Sequence, residues 1–266
     1  MRALPWLRCI AFLAWTAGLA GGHHAHAEEL PALRLRHLTS NDGLSQNQVS
    51  CILQDSRGYM WFGTKDGLNR YDGSHFTVFH NDPSDSGSVA PGEISSIVED
   101  PFGNIWVTSG MLNRFDRMTE RFTRFGHDPS DSTSIAGYNI VKLCVSTVRG
   151  DTALWIGMAD AGLDKLDLTS RFDPKSMRFR HFLADPSNPH SLSNSSVSGL
   201  LLDHRGVLWV STQFGLNATD LTSGTGALSF SHYGVDPHHA DGLTDGASVL
   251  FESKDGSLWV GASTGI

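Results

Sequence analysis

GYMWFGTKDGLNRYDG, residues 58–73, decides the fold, because the phrase returns four more times along a chain of 266 residues. The later copies are GNIWVTSGMLNRFDR (103–117), ALWIGMADAGLDKLDL (153–168), GVLWVSTQFGLNATDL (206–221) and GSLWVGASTGI (256–266). Their common plan is a turn glycine, an apolar–Trp–apolar strand, a second tight turn and a strand closing on Asp. The tryptophans Trp61, Trp106, Trp155, Trp209 and Trp259 are spaced by 45, 49, 54 and 50 residues. A period of this length marks a stack of similar supersecondary units.

The flanks repeat as well. Upstream of each copy lies an apolar run that ends near Asp: VSCILQD (49–55), ISSIVED (94–100) and VSGLLLD (197–203), with the variants VKLCVST (141–147) and SVLFESKD (248–255). Downstream comes an aromatic pair, as in Phe76/Phe79, Phe122/Phe125, Phe179/Phe182 and Phe230/Tyr233. A polar turn with Asp-Pro follows, at Asp82, Asp128, Asp185 and Asp236. Four strands in about 50 residues describe one blade of a β-propeller. A lone four-stranded sheet has two faces to cover, and stacking identical sheets around an axis buries each against its neighbour. The indole sits on a middle strand, and the expectation is that it fills the space between adjacent blades, where burial contributes a few kcal/mol.

The fold class expected is therefore all-β, a propeller of four-stranded blades with about five present, as part of a larger ring of about seven. Residues 28–266 form the propeller domain. The stretch LRLRHLTSNDGLS (33–45) reads as the end of a blade, so residues near 33–39 are expected to supply the outer closing strand of the last blade. The last copy breaks off inside its third strand, which fits a shortened array.

Residues 1–27 read as a secretory signal: Arg2 and Arg8 supply charge, Ile10 to Ala20 an apolar stretch, and Ala25-His26-Ala27 a cleavage site of small residues. That stretch is too short to span a bilayer, which takes about 20 residues. With Cys9 inside the signal, Cys51 and Cys144 remain, and both read as buried thiols in apolar strands. A net charge of −8 without a Lys/Arg cluster argues against nucleic acid as a partner.

The repeats resemble the two-component regulator propeller family, periplasmic sensor regions of bacterial receptors. The likeness is carried by GLSQNQVSCILQDSRGYMWFGTKDGLNRYDG (43–73), GVLWVSTQFGLN (206–217) and connectors such as RFTRFGHDPSDSTSI (121–135). Repeats two and three depart from the pattern near Met111, Asp151 and Pro174. The resemblance implies a periplasmic, ligand-binding sensor module with no catalytic activity of its own. It also implies a small-molecule or oligosaccharide ligand and a parent receptor anchored in the inner membrane through downstream segments. That parent would end in a histidine kinase or a diguanylate cyclase and would form a homodimer. The alternative is a propeller enzyme acting on polysaccharide.

Local constellations give no catalytic residue, metal site or cofactor. Asp82, Ser84, Ser86, Gly87, Val89 and Glu93, at places 1, 3, 5, 6, 8 and 12, loosely match a calcium loop of the EF-hand type. The same connector recurs at Asp128 and Asp185 with Asn139 and Ser196 in the twelfth place, which favours a capped turn. His238 and His239 with Asp236 and Asp241 read as loop polarity, and His23, His24 and His26 belong to the signal region. Asp100 and Asp203, like Asp72, Asp116, Asp167 and Asp220, recur with the blade and read as structural. Asn69-Arg70, Asn113-Arg114 and Asp164-Lys165 are polar within a strand. They are expected to face solvent at a ladder end, with contact to a ligand's hydroxyls at a rim as the functional reading.

Overall fold

Alternating apolar residues between glycine turns give the chain its strands, and a computed structural model describes residues 35–224, 228–234 and 246–262. Leu38–Ile266 form one compact unit, while Met1–His37 form another, of which the described residues 35–37 hold no secondary structure. The signal region lies outside the described residues, as does the connector of residues 235–245 with Asp236, His238, His239 and Asp241.

Blade 1 holds β1 (Val49–Gln54), β2 (Met60–Thr64), β3 (Gly67–Tyr71) and β4 (Phe76–Phe79). Blade 2 holds β5 (Ile97–Glu99), β6 (Ile105–Thr108), β7 (Leu112–Asp116) and β8 (Arg121–Phe125). Blade 3 holds β9 (Ile140–Val148), β10 (Asp151–Met158), β11 (Gly162–Leu168) and β12 (Phe179–Phe182). Blade 4 holds β13 (Val197–Leu202), β14 (Val207–Thr212), β15 (Gly215–Asp220) and β16 (Ser231–Gly234). A fifth sheet pairs β17 (Ala247–Glu252) with β18 (Leu258–Ala262). Every ladder is an antiparallel meander in chain order. Among the described residues the one helical element is a 3₁₀ turn at Ser40–Asp42, capped by Thr39. Of the stretch expected to close the ring, residues 35–39 form no strand, and 33 and 34 lie outside the described residues.

First strands lie beside first strands of the next blade, and the second-strand indoles fill the spaces between sheets. Trp61 packs with Ile105, Phe115 and Phe122 of blade 2. Trp106 packs with Leu154, Ile156 and Phe179 of blade 3, and Trp155 with Leu208, Val210 and Phe230 of blade 4. All three are fully buried. Trp209 is half-buried against Tyr233, and Trp259 is 54% exposed.

In blades 1, 2 and 4 one carboxylate ties the indole to its hairpin. Asp55, Asp100 and Asp203 accept the indole N–H of Trp61, Trp106 and Trp209 at 2.8, 2.8 and 3.0 Å. The other carboxylate oxygen accepts two amides of the turn, from Arg57 and Tyr59, Phe102 and Asn104, or Arg205 and Val207. Each of these carboxylates thus holds a turn and an indole together. Blade 3 uses Ser146, whose Oγ accepts the Trp155 N–H at 2.8 Å.

Candidate functional site

The third strand of each blade carries a buried polar residue whose place corrects the sequence expectation. Asn69, Asn113, Asp164 and Asn217 are inaccessible to solvent, and they neither end a ladder nor line a rim. Their side-chain oxygens accept backbone amides of the connector leading into their own blade: Ser45 at 2.8 Å, Ala90 at 2.9 Å, Ala136 at 2.9 Å and Ser193 at 2.8 Å. A buried amide without an acceptor costs about 1–3 kcal/mol, which is why a polar residue occupies an otherwise apolar position. The basic residues beside them lie over aromatic rings. Arg70 lies 5.8 Å from the Trp61 ring, Arg114 3.7 Å from Phe172 and Lys165 5.6 Å from Trp155.

The Asp-Pro connectors form turns held by their own side chains. Asp82 accepts the Ser84 amide and hydroxyl at 2.8 and 2.6 Å, and Asp128 and Asp185 repeat the arrangement with Ser130 and Ser187. Those bonds hold all three carboxyls below the usual range. Glu93 is bonded to the hydroxyl of Ser50 on β1, away from the Asp82 turn. Among the described residues no group of three or more His, Cys, Asp or Glu is placed to hold a metal ion. Cys51 and Cys144 are half-buried free thiols, each pushed up to about 11 by burial.

Comparison of successive blade interfaces locates an open site. Between blades 1 and 2, Phe115 packs edge-on against Trp61 with centroids 5.3 Å apart. Arg117 then fills the rim, donating to Asp55 and Glu99 at 2.7 Å each. Between blades 2 and 3, Phe172 from the inserted residues after β11 takes that space, 6.5 Å from Trp106. Blade 4 reads LNATDL (216–221) where blade 2 reads LNRFDR (112–117). Thr219 therefore stands in the place of Phe115, Leu221 in that of Arg117, and Ala218 in that of Arg114.

The result is a cleft of about 680 Å³ between blades 3 and 4. This lies within the size range of small-molecule sites. Its far wall is the lengthened hairpin of β9 and β10, which turns on Arg149 and Gly150, both at positive φ (55° and 90°) as a type I′ turn requires. Arg149 reaches across to donate to the Thr222 carbonyl at 2.6 Å. Lys165 forms an ion pair with Asp167 at 2.7 Å beside the Trp155 ring. Asp220 accepts the Thr222 amide and hydroxyl at 2.7 and 2.6 Å, which keeps its carboxyl below the usual range. Two cations, Arg149 and Lys165, and two carboxylates, Asp151 and Asp220, line the cleft together with hydroxyls of Ser223, Ser229 and Ser231. Sequence reading missed this site, although Thr219, at a place where the other repeats carry Tyr71, Phe115 and Leu166, was a visible signal.

Stacked four-stranded blades with an interblade tryptophan make this a protein of the β-propeller class. Residues 43–66 and 191–214 match the two component regulator propeller family, which bears out the resemblance seen in the repeats. A stretch of 55 residues, 21% of this chain, is 47% identical to Histidine kinase P4 of Formosa agariphila and spans 4% of that protein. The fold is similar to an extracellular domain assigned to the hybrid two component system BT3049 of B. thetaiotaomicron. There the TM-score is 0.67 at 24% identity over 86% of this chain and 29% of that one. It is also similar to PorZ of Porphyromonas gingivalis (TM-score 0.56, 14% identity, 80% of this chain and 31% of that one). Virginiamycin B lyase of Staphylococcus aureus shares the fold at TM-score 0.52 and 16% identity, over 80% of this chain and 62% of the lyase. Among the described residues no helix is long and apolar enough to cross a membrane.

Proposed function

We propose that this chain is the ligand-binding sensor module of a bacterial signalling receptor, working outside the cytoplasm, and that ligand enters the cleft between blades 3 and 4. The observation that carries the reading is the family match in two separate blades, at residues 43–66 and 191–214. The histidine kinase stretch and the fold of an extracellular two component domain support the same role. Binding without turnover fits the chemistry, because the blade-repeated carboxylates are occupied by backbone amides or indole N–H groups. Balanced charge and abundant hydroxyls suit a neutral, hydroxyl-rich ligand such as an oligosaccharide. In the intact receptor, segments beyond this chain would carry the membrane anchor and a kinase or cyclase, with dimerisation as the route of output.

Titration calorimetry with a panel of neutral oligosaccharides tests the site. The double variant Thr219→Phe/Leu221→Arg gives blade 4 the residues with which blade 2 fills its interface. Binding is expected to weaken at least about tenfold with an unchanged melting temperature, a loss of about 1.4 kcal/mol. Unaltered affinity in the filled variant removes the cleft from consideration, and no binding by any sugar removes the ligand class. A coding sequence without a membrane segment or signalling domain beyond residue 266 would overturn the receptor role.

A further inference from the structure

Blade 3 differs from its neighbours at one buried position: Asp164 stands where blades 1, 2 and 4 carry Asn69, Asn113 and Asn217. Asn accepts a connector amide without ever being charged. Asp164 does the same, with Oδ2 accepting the Ala136 N–H at 2.9 Å, but its second oxygen meets an imidazole. His181, on β12 directly across from Asp164 in the ladder, places Nδ1 2.6 Å from Asp164 Oδ1. Its other nitrogen, Nε2, lies 2.9 Å from the Ser132 carbonyl oxygen.

The proton count follows from donor chemistry. A carbonyl only accepts, so Nε2 carries a hydrogen, and the 2.6 Å contact between Nδ1 and Oδ1 needs another. Together the pair holds one proton more than a neutral imidazole beside an ionised carboxylate. Blade 4 supplies the contrast. His232 lies across from Asn217 and donates Nε2 to the Ser191 carbonyl at 2.6 Å, which a neutral imidazole does alone. Blade 2 uses Arg124 for the corresponding bond to the Ser88 carbonyl at 2.9 Å.

We infer that Asp164 and His181 form a proton-held latch, which pins the connector of residues 127–137 onto blade 3 and loosens it when the shared proton leaves. With the proton lost, either Ser132 forfeits its donor or a fully buried carboxylate is left charged beside a single amide. The latch stands independently of any ligand in the cleft. It would make the start of blade 3 respond to the acidity of the surrounding medium.

The neighbouring charges do not replace that proton. His127, on the same connector, is the further titratable group acting on Asp164, and its own Nδ1 is bonded to the Ile135 carbonyl. Asp131 and Arg178 act on one another at the connector's turn. Burial pushes the Asp164 carboxyl up despite its bond to His181. Burial also opposes charge on His181, but the bond to Asp164 outweighs it and raises that imidazole above the ordinary 6.5. Both groups hold protons more tightly folded than unfolded. The latch is therefore complete at acid pH and is lost as pH rises through the folded value of His181.

Hydrogen exchange across about pH 6 to 9, corrected for the chemical exchange rate, reads the latch in the whole chain. Connectors 81–91 and 185–194 serve as internal controls because Asn113 and Asn217 hold them. Protection at Ala136 is expected to fall by up to about tenfold per pH unit once the proton begins to leave, while Ala90 and Ser193 keep theirs. Asp164→Asn is expected to give the 127–137 connector the flat profile of the other two. If wild-type Ala136 follows the same pH course as Ala90 and Ser193, the latch is refuted, and that comparison decides the matter even if the variant does not fold. A pH course that persists unchanged in Asp164→Asn refutes it as well.

Discussion

The Asp100 carboxylate collects four donors within its own blade. Its Oδ1 accepts the amides of Phe102 and Asn104, and its Oδ2 the Asn104 side-chain amide at 2.7 Å and the Trp106 indole at 2.8 Å. Asp100→Ala leaves the buried indole N–H and the turn amides without acceptors. The expected cost is about 2–4 kcal/mol in urea unfolding, and a loss below about 1 kcal/mol would show that the turn closes without it. Acid should act on the same class of side chain. Burial alone would raise the Asp55 carboxyl, but the Trp61 and Arg117 hydrogen bonds outweigh it and hold it below the usual value. The exposed turn cap Asp72 is lowered from 3.8 to about 2 by the amides of His75 and Ser74. Groups lowered by folding contribute fully above their unfolded values and lose that contribution as pH falls through the folded ones. Urea midpoints should hence fall between about pH 4 and pH 2, and a flat profile there would contradict these bonds. The turn aspartates were legible in the sequence because they recur beside turn glycines. Asn69, Asn113 and Asn217 recur just as regularly, yet a polar residue in a strand suggests solvent. Only the folded connector shows the amide that each one serves.

At the scale of the hairpin, glycines that share a positive φ have unequal importance. Gly58 in the turn between β1 and β2 has φ 89°, and a Cβ there would meet nothing within 4 Å. Gly67 opens β3 with φ 120°, and its Cβ would lie 2.5 Å from the Phe79 backbone oxygen on β4. Gly58→Ala should cost only the strain of a left-handed residue, about 1–2 kcal/mol. Gly67→Ala must also push β4 away from β3 and should destabilise blade 1 by clearly more. Urea titrations of the two variants decide this, since equal losses would mean that β4 yields freely. Turn glycines and alternating strands were readable from local chemistry. The consequences of the blade 3 insertions were not. The Arg149-Gly150 hairpin and Phe172 acquire meaning only against a neighbouring sheet, one as a cleft wall and the other as a filler beside Trp106.

At the scale of the whole stack, equivalent indoles differ in burial according to what lies against them. Trp61, Trp106 and Trp155 each meet a complete four-stranded neighbour and are fully buried. Trp209 is half-buried, and among the described residues the sheet after blade 4 holds two strands, β17 and β18. On that last pair Val249, Phe251 and Trp259 are 63%, 61% and 54% exposed, although Cys51, Leu53 and Trp61 at the matching places of blade 1 pack against blade 2. The five-fold spacing announced the repeat, but burial depends on stacking partners and could not be read from spacing. Two substitutions measure the difference. Trp61→Phe removes a buried indole and its bond to Asp55, and should cost about 2–4 kcal/mol. Trp259→Phe should change stability by less than about 0.5 kcal/mol, as expected for an exposed side chain. Acrylamide quenching supplies the second readout: Trp259→Phe should reduce the readily quenched fluorescence, whereas Trp61→Phe should leave that fraction in place. Equal costs for the two variants, or a quenchable fraction unaffected by Trp259→Phe, would mean that a covering surface lies on the β17–β18 face.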